Sequence, residues 1–521
     1  MNYVDYIVIA CYIIGFLMLG RLFRDNKNSK DYFLGGKSFG WFPLSMSTIA
    51  TQLSAISFVS APAFVGLKEN GGMQWLTYEF AVPLAMIFLL IYLIPPMYKA
   101  GIVSVYEYLE KRFDTSTRVL LSGVFQVSRA FGTSVMIYTV ALILGEVLDI
   151  EMWQTILIIG VVTLIYSYQG GMKAVVYGDM LQMFILFAGI VICLVAGISA
   201  LGGWDEFLAN LDRSRLDAVD FNSMGFAKGD EFGFWPMLLG GFFLYASYYG
   251  TDQSQVQRLF SAQSMGTVKK TLLFNGLLRF PVTFVYCVMG LVLGTLVMQD
   301  VSFREAIPAN DPDLMVPIFI RDYLPHGLIG ILMIAILSAA MSSLSSAINS
   351  LSAASVEDFF NRKKQLGAED QMRYSKYAAL FWGVVCIGLA FFTGGIAETV
   401  IEAINKVGSV FYGPILATFI AAIGIKQINA TGVNVGILAG VGVNVFLWQF
   451  VPEVFWFWWN AIGALVTLSV GLLVSLATRQ RAASQVATTQ PEVRSNRTYI
   501  IILLLFFVAI VLLSTQVPKL F

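Results

Sequence analysis

The sequence is poor in the residues that most enzymes and metal sites use. It contains one histidine, His326, and four cysteines in 521 residues. All four cysteines lie inside apolar runs, where a packed thiol is far more common than a disulfide or a metal ligand. His326 follows Pro325 beside an apolar run, and neither an HExxH pair nor a nucleophile elbow is present. These shortages argue against an enzyme.

Charged residues are also scarce. They make up 13% of the chain, against 57% hydrophobic residues, and the mean hydropathy is +0.73. Soluble domains carry about 25% charged residues. Lysine plus arginine equals aspartate plus glutamate at 33 each, and no basic stripe or RNA-binding aromatic motif appears. We therefore expect a multi-pass protein of the cell (inner) membrane, with the lipid bilayer and no nucleic acid as a partner. Nothing in the sequence indicates an oligomeric state.

Long apolar runs supply the expected membrane spans. A helix needs about 20 apolar residues to cross the hydrocarbon core. The first run, YIVIACYIIGFLMLG, lacks the basic segment and cleavage site of a signal peptide, so we expect it to be retained. The chain is thus predicted to be all-α with about 14 transmembrane helices. The spans centre near residues 13, 54, 86, 132, 160, 190, 245, 284, 340, 384, 412, 440, 465 and 507.

Basic residues are concentrated in alternate loops, which orients the spans. With fourteen helices, all the basic loops fall on one side, and the positive-inside rule assigns that side to the cytoplasm. Both termini are then predicted on the outer side. One of these loops is taken to hold Arg258, Lys269 and Lys270. The basic loops cover residues 21–38, 99–118, 258–270, 362–376 and 479–497.

Five charged residues fall within or at the ends of apolar runs. A charge in a bilayer is costly without a partner, so it marks a candidate functional site. Glu79, Arg129 and Arg279 have apolar residues on both sides. Lys406 has the alternative of reaching the headgroups from a helix end. Asp179 has the alternative of stabilising a helix N-terminus.

The segment AAMSSLSSAINS, at 339–350, places hydroxyl groups in an apolar span. Ala339, Ser342, Ser343 and Ser346 follow the spacing of one helical face, and Ser345 adjoins it. One interpretation is a close helix contact whose hydroxyls bond their own carbonyls. The other is a hard cation held by hydroxyls and by carbonyls of a facing, unwound helix. The second span, with polar residues and Pro62, is a suitable place for such a break.

Several stretches resemble the sodium/solute symporters, a family that includes bacterial sugar, proline and sialic acid carriers and mammalian glucose, iodide, monocarboxylate and multivitamin carriers. The resemblance spans nearly the whole chain in the family's order and spacing. The matching stretches are DYFLGGKS at 31–38, ATQLSAISF at 50–58, SVYEYLEKRFD at 104–114, YSYQGGMKAVVYGDMLQ at 166–182, TDQSQVQR at 251–258 and SAAMSSLSSAINS at 338–350.

The resemblance implies a LeuT-type fold, which has two five-helix inverted repeats. The repeats would occupy residues 40–201 and 235–424, joined by an outer loop at 202–234. A first helix with its basic inner loop at 1–39 would precede them. Three peripheral helices at 425–521 would follow.

The resemblance also implies sodium as the coupling ion, at two sites. The first site would use backbone carbonyls of the broken second span and hydroxyls of the eighth core helix. The second would use an aspartate at the inner end of the fifth core helix and further hydroxyls. The matching residues are Ala50, Leu53, Ala339, Ser342 and Ser343 for the first ion, and Asp179, Ser342, Ser345 and Ser346 for the second.

The solute is the least defined expectation. Arg129, with Ser54 and Ser57, resembles sialic acid carriers, in which an arginine faces the substrate carboxylate. Glu79 and Arg279 are instead similar to a glutamate and a lysine of sugar carriers. A pair between Glu79 and Arg279 would leave Arg129 free. The full set of predicted substrate residues is Gln52, Ser54, Ser57, Glu79, Arg129, Tyr245, Tyr248 and Arg279, with Tyr249 beside the two tyrosines as gates or core aromatics.

We therefore expect a sodium-coupled symporter that imports a small solute by alternating access with two sodium ions. A carboxylate, such as sialic acid or another organic anion, is the first expectation, and a neutral sugar or polyol is the alternative. A passive channel conflicts with tight ion-coordinating hydroxyls. A transporter-like sensor would need a signalling domain, whereas only one helix is expected after Arg497.

Overall fold

The fold is built from helices, as a chain that must satisfy its backbone hydrogen bonds inside a bilayer requires. A computed structural model describes residues 2–25, 28–53, 55–309, 311–361, 366–392, 400–478 and 493–521. Within these ranges the extended pairing is limited to one isolated bridge between Phe39 and Ala262.

Fifteen helices form the body of the protein and are labelled here in chain order; shorter helices lie in the connecting loops. They are α1 Tyr3–Leu22, α2 Trp41–Gln52, α3 Ala55–Gly66, α4 Met73–Lys99, α5 Thr115–Leu148, α6 Met152–Ala200, α7 Phe234–Thr251, α8 Gln253–Phe260, α9 Met265–Gln299, α10 Leu328–Ser355, α11 Ala368–Ala390, α12 Val400–Gly424, α13 Ala430–Phe450, α14 Phe457–Thr478 and α15 Arg497–Thr515.

The predicted spans coincide with these helices. Thirteen of the fourteen predicted centres lie within a labelled helix, and the other, residue 54, lies between α2 and α3. Ten helices in the described ranges are long and apolar enough to cross a membrane, and α2 with α3 forms an eleventh candidate. The all-α membrane fold is confirmed, while the count of fourteen crossings stays a prediction.

Helix α6 contains 49 residues, about twice the length that one span needs, and it breaks at Gly171. This glycine has φ 54° and ψ −147°, a conformation that residues with a side chain rarely adopt. A Cβ atom here would also lie 2.6 Å from the carbonyl oxygen of Tyr32. The break divides α6 into two arms and places Asp179 on the second.

Two further breaks bring backbone and polar groups to the middle of the fold. Helices α2 and α3 meet at an angle of 54°. Helix α2 ends at Gln52, and the next residue, Leu53, has a ψ of 80°, which is not helical. Helices α7 and α8 are separated by Asp252, which has an extended backbone and caps α8 through the amide of Ser254. Helix α10 packs against α2, α3, α6 and α8. The hydroxyl-rich segment of α10 therefore faces both broken helices.

One sequence assignment is wrong. The sequence pattern predicts Arg258 in a basic loop with Lys269 and Lys270, but this residue lies on α8 inside the protein, and only 1% of it is exposed. Lys269 and Lys270 lie beyond it, in the first turns of α9. The polar side chains of TDQSQVQR are buried and form hydrogen bonds with other protein groups, so this stretch is not a solvated loop.

The helices after the core pack through small residues. Helices α13 and α14 cross closely, because a Cβ atom on Gly436 would lie 2.4 Å from the carbonyl oxygen of Thr467. Lys406 on α12 places its amine 5.8 Å from the ring centroid of Trp448 on α13. Helix α15 lies against α4 and α9.

Candidate functional site

A cavity of about 150 Å³ lies at the centre of the fold, between the broken helices and α5, α9, α10 and α12. Five residues predicted to bind substrate line it, namely Gln52, Ser57, Arg129, Tyr248 and Arg279. Ser343, predicted for the first sodium ion, lines it too. The predicted Ser54 lies outside the described residues. Lining residues that we did not predict include Trp75, Tyr78, Asp252, Phe411 and Tyr412.

Arg129 is the more accessible of the two arginines in this cavity. Its Nη1 lies 3.6 Å from Oδ2 of Asp252, which is an ion pair without a close hydrogen bond. Its guanidinium carbon lies 6.0 Å from the ring centroid of Tyr248. Nε of Arg129 is buried and has no hydrogen-bond partner among the described residues. Arg129 therefore keeps the capacity to bind a further acceptor.

Arg279 is bonded much more completely. Its Nε lies 3.1 and 3.0 Å from the two carboxylate oxygens of Glu79, and its Nη2 lies 3.0 Å from Oε1. Glu79 also accepts hydrogen bonds from Tyr245 at 2.8 Å and from Thr283 at 3.0 Å. The predicted pairing of Glu79 with Arg279 is confirmed. The pairing leaves Nη1 of Arg279 as a buried donor with no partner among the described residues.

The three tyrosines of α7 have different roles. Tyr245 stacks on Tyr78 with ring centroids 4.5 Å apart and bonds Glu79, so it belongs to the cluster around Arg279. Tyr249 donates a hydrogen bond to Oε1 of Gln52. Tyr248 borders the cavity and lies 3.4 Å from the carbonyl oxygen of Thr51. Only Tyr248 of the three lines the cavity in the described structure.

The residues predicted for the first sodium ion lie at the end of α2 and on α10, two helices that pack against each other. Ala50 lies in the last turn of α2 and Leu53 just beyond it, where a helix end leaves carbonyls without intrahelical partners. Ala339, Ser342 and Ser343 lie on α10, which packs against α2 and α3. The Ser343 hydroxyl is buried and finds no hydrogen-bond partner in the described part of the chain. An oxygen ligand for a cation would have this property.

The residues predicted for the second sodium ion are in contact. Ser342 donates to Oδ1 of Asp179 at 2.7 Å, and Ser345 and Ser346 donate to the carbonyl of Ser342 at 3.0 and 2.8 Å. All four are buried. Part of the alternative interpretation of the serine segment is therefore present too, because two hydroxyls do bond back to their own helix.

Two residues that we did not predict complete this second group. Arg258 places Nη2 2.7 Å from Oδ2 of Asp179 and donates to Ser346. Its Nε lies 2.7 Å from the hydroxyl of Ser47, which itself donates to Oδ2 of Asp179 at 2.5 Å. The signal that could have identified Arg258 and Asp252 was their joint presence in TDQSQVQR, one of the stretches that resemble the family.

Comparison with solved structures supports the fold. A substrate-bound, outward-open sodium-coupled sialic acid symporter matches with a TM-score of 0.83, at 24% identity, over 93% of this chain and 100% of its own. A nucleobase-cation-symport-1 family transporter in a closed conformation matches with a TM-score of 0.58, at 11% identity, over 88% of this chain and 97% of its own. The fold is therefore of the predicted LeuT type.

Sequence comparison places the chain among transporters. Sodium-coupled monocarboxylate transporter 1 of Homo sapiens is 30% identical over 85% of this chain and 73% of the relative, and its Xenopus laevis counterpart is 29% identical over 85% and 71%. The human sodium/iodide cotransporter is 28% identical over 83% and 67%. The model of the sodium:solute symporter family matches residues 32–440. Together with the fold, this match shows that the chain belongs to the sodium:solute symporter family, whose members are transporters and not enzymes.

Proposed function

We propose that this protein imports a small organic carboxylate anion together with sodium. The observation that carries the proposal is Arg129, a buried arginine that borders the central cavity with an unpartnered Nε and only a loose ion pair. A planar guanidinium binds a carboxylate through two parallel hydrogen bonds. The monocarboxylate relatives support the same class of solute.

Charge balance favours one carboxylate per solute molecule. Glu79 neutralises Arg279, and Asp252 neutralises Arg129. A solute carboxylate can take the place of Asp252 at Arg129, while Nη1 of Arg279 remains a donor for a hydroxyl or oxo group of the same solute. A second solute carboxylate would have to displace Glu79 from Arg279, which is the more completely bonded pair.

The size of the cavity favours a short solute. About 150 Å³ is the volume of a protein cavity that holds one benzene-sized molecule. A short-chain monocarboxylate fits this space better than a sugar acid such as sialic acid. A neutral sugar is less favoured, because the described lining does not include Glu79, whose two oxygens are bonded to Arg279, Tyr245 and Thr283.

Sodium supplies the driving force in this proposal. Each sodium ion that moves inward across 100 mV releases about 2.3 kcal/mol. Two ions release about 4.6 kcal/mol, of which a monovalent anion returns half. We assign the first ion to Ser343 and the carbonyls after α2, and the second to the group around Asp179. Ion binding drives transport only if it favours one state of the cycle. Both proposed sites bridge the two predicted repeats, at 40–201 and 235–424, and a broken helix lies at the start of each range.

The test is uptake into proteoliposomes. We expect accumulation of labelled pyruvate or lactate against a gradient, abolished when external sodium is replaced by choline. Sialic acid, galactose and inositol serve as competitors. Uptake that persists in choline would contradict sodium coupling, and competition by galactose or inositol alone would contradict the carboxylate.

The stoichiometry is tested separately, by the sodium dependence of the same uptake. We expect a Hill slope clearly above one, which Asp179→Ala or Ser345→Ala brings to one. A wild-type slope of one would contradict the two-ion cycle.

A further inference from the structure

The group proposed for the second sodium ion already contains a cation that belongs to the protein. The Arg258 guanidinium contacts Asp179, Ser47 and Ser346, and both charged side chains of this pair are buried. Asp179 and Ser346 are two of the four residues assigned to that sodium ion. The oxygens that bond the Arg258 guanidinium are thus the same ones that are proposed to bind the sodium ion.

Electrostatics allows one of these cations at a time. Asp179 carries one negative charge, which Arg258 balances. A sodium ion added beside the intact pair would leave an uncompensated positive charge in the interior, where like charges repel strongly. Sodium would also find Oδ2 of Asp179 already bonded to Arg258 and Ser47.

We propose that Arg258 is a tethered cation that competes with sodium for Asp179, so that the second sodium ion binds only as the guanidinium leaves the carboxylate. The inference rests on the proposed function, because it concerns the second of the two coupling ions. In this proposal, sodium binding displaces Arg258 and so acts on helix α8. Arg258 lies near the end of α8, and Asp252, the partner of Arg129, caps the start of the same helix.

The two carboxylate oxygens of Asp179 have different partners: Ser47 and Arg258 bond Oδ2, and Ser342 bonds Oδ1. Ser47 bonds Oδ2 and also accepts from Nε of Arg258, so it helps to hold the guanidinium. Ser342 bonds Oδ1 and is a proposed ligand of sodium. Removal of these two hydroxyls should therefore change sodium affinity in opposite directions, although both serines are fully buried and bonded to the same carboxylate.

The first experiment measures equilibrium binding of radioactive sodium to the purified full-length chain in nanodiscs, without solute. The relevant ion is the part of the binding that Asp179→Ala removes. We expect Arg258→Ala to lower the half-saturating sodium concentration of this Asp179-dependent site by about tenfold or more. The reason is that the substitution removes a positive charge next to the site. Free guanidinium ion should raise that concentration again in Arg258→Ala and have no effect on the wild type. A purely structural role for Arg258 would not produce this pattern.

The second experiment uses the serines and does not depend on the folding of Arg258→Ala. We expect Ser47→Ala to lower the half-saturating sodium concentration and Ser342→Ala to raise it. Arg258→Lys keeps the charge and should stay closer to the wild type than Arg258→Ala. Changes of the same sign in the two serine variants would overturn the proposal. An absence of guanidinium competition in folded Arg258→Ala would overturn it as well.

The failure of this proposal and the failure of the proposed function give different results. If wild-type uptake depends on sodium while Arg258→Ala and Ser47→Ala leave the sodium isotherm unchanged, only the tethered cation is wrong. If the wild type neither binds sodium nor requires it for uptake, the proposed function itself is wrong.

Discussion

Two arginines face one cavity, and their carboxylate partners differ in how completely they are bonded. Arg279 makes three close contacts with Glu79, which two further hydroxyl donors hold in place. Arg129 has a single contact of 3.6 Å with Asp252. A buried pair with every oxygen bonded fixes the packing of α4, α7 and α9. A loose pair leaves a guanidinium available for a solute.

The largest expected effect comes from breaking the tight pair. Glu79→Gln leaves the Arg279 charge buried without a counter-ion, which costs about 3–5 kcal/mol. We expect a strong fall in thermal stability of the purified protein. The double variant Glu79→Met with Arg279→Met should recover much of the loss, because apolar replacement of a buried pair is often neutral. Equal stability of Glu79→Gln and the wild type would show that the two pairs do not differ as described.

The next effect concerns the loose pair. Arg129→Gln should lower carboxylate uptake by about 100-fold, since removing one hydrogen-bonded charge partner costs about 2–5 kcal/mol. Thermal stability should fall less than in Glu79→Gln, because the pair with Asp252 is looser, at 3.6 Å. Sodium binding without solute is the control and should persist. Normal uptake by Arg129→Gln would remove the arginine from the solute site.

A smaller effect, of opposite sign, is expected from the partner of Arg129. Asp252→Asn removes the internal competitor for the guanidinium but keeps the side-chain oxygen that caps α8. The half-saturating solute concentration should fall by about fivefold, which corresponds to about 1 kcal/mol, because the competing pair is loose. Asp252→Ala separates the two roles, because it removes the cap as well. A rise in the half-saturating concentration for Asp252→Asn would contradict competition.

The smallest effect concerns Asp220, in the loop at 202–233. Unlike Glu79 and Asp252, this carboxylate is held by neutral hydrogen-bond donors and not by an arginine. Hydrogen bonds from Ser223 and from the amide of Asn222 lower the pKa of Asp220 below its ordinary value. These bonds therefore stabilise the folded loop at neutral pH and are lost as the pH falls below about 4. Hydrogen exchange at Asn222 should report the loss, and Asp220→Asn should show it already at pH 7. Asp217→Asn, at an exposed position nearby, is the control and should leave Asn222 unchanged.

The sequence predicted the all-α membrane fold because the length of an apolar run is a property of the chain itself. The orientation deduced from the basic loops stays a prediction. The sequence also offered the Glu79–Arg279 pair as one arrangement, through comparison with the residues of sugar and sialic acid carriers, and the structure contains that pair. It misplaced Arg258 because a short polar helix enclosed by protein has the same composition as a loop. It passed over Asp252 and Ser47 for a related reason, as their roles depend on which helices meet at a break.

The hydroxyl of Ser343 is shared between the central cavity and the proposed first sodium site. It borders the cavity that contains Arg129, and it is one of the oxygens assigned to the first sodium ion. A wall shared in this way makes the two binding equilibria interdependent, and linkage then requires the effect to be reciprocal. If sodium raises the affinity for the solute by some factor, the solute must raise the affinity for sodium by the same factor. A titration with either species therefore measures the coupling free energy between the two sites.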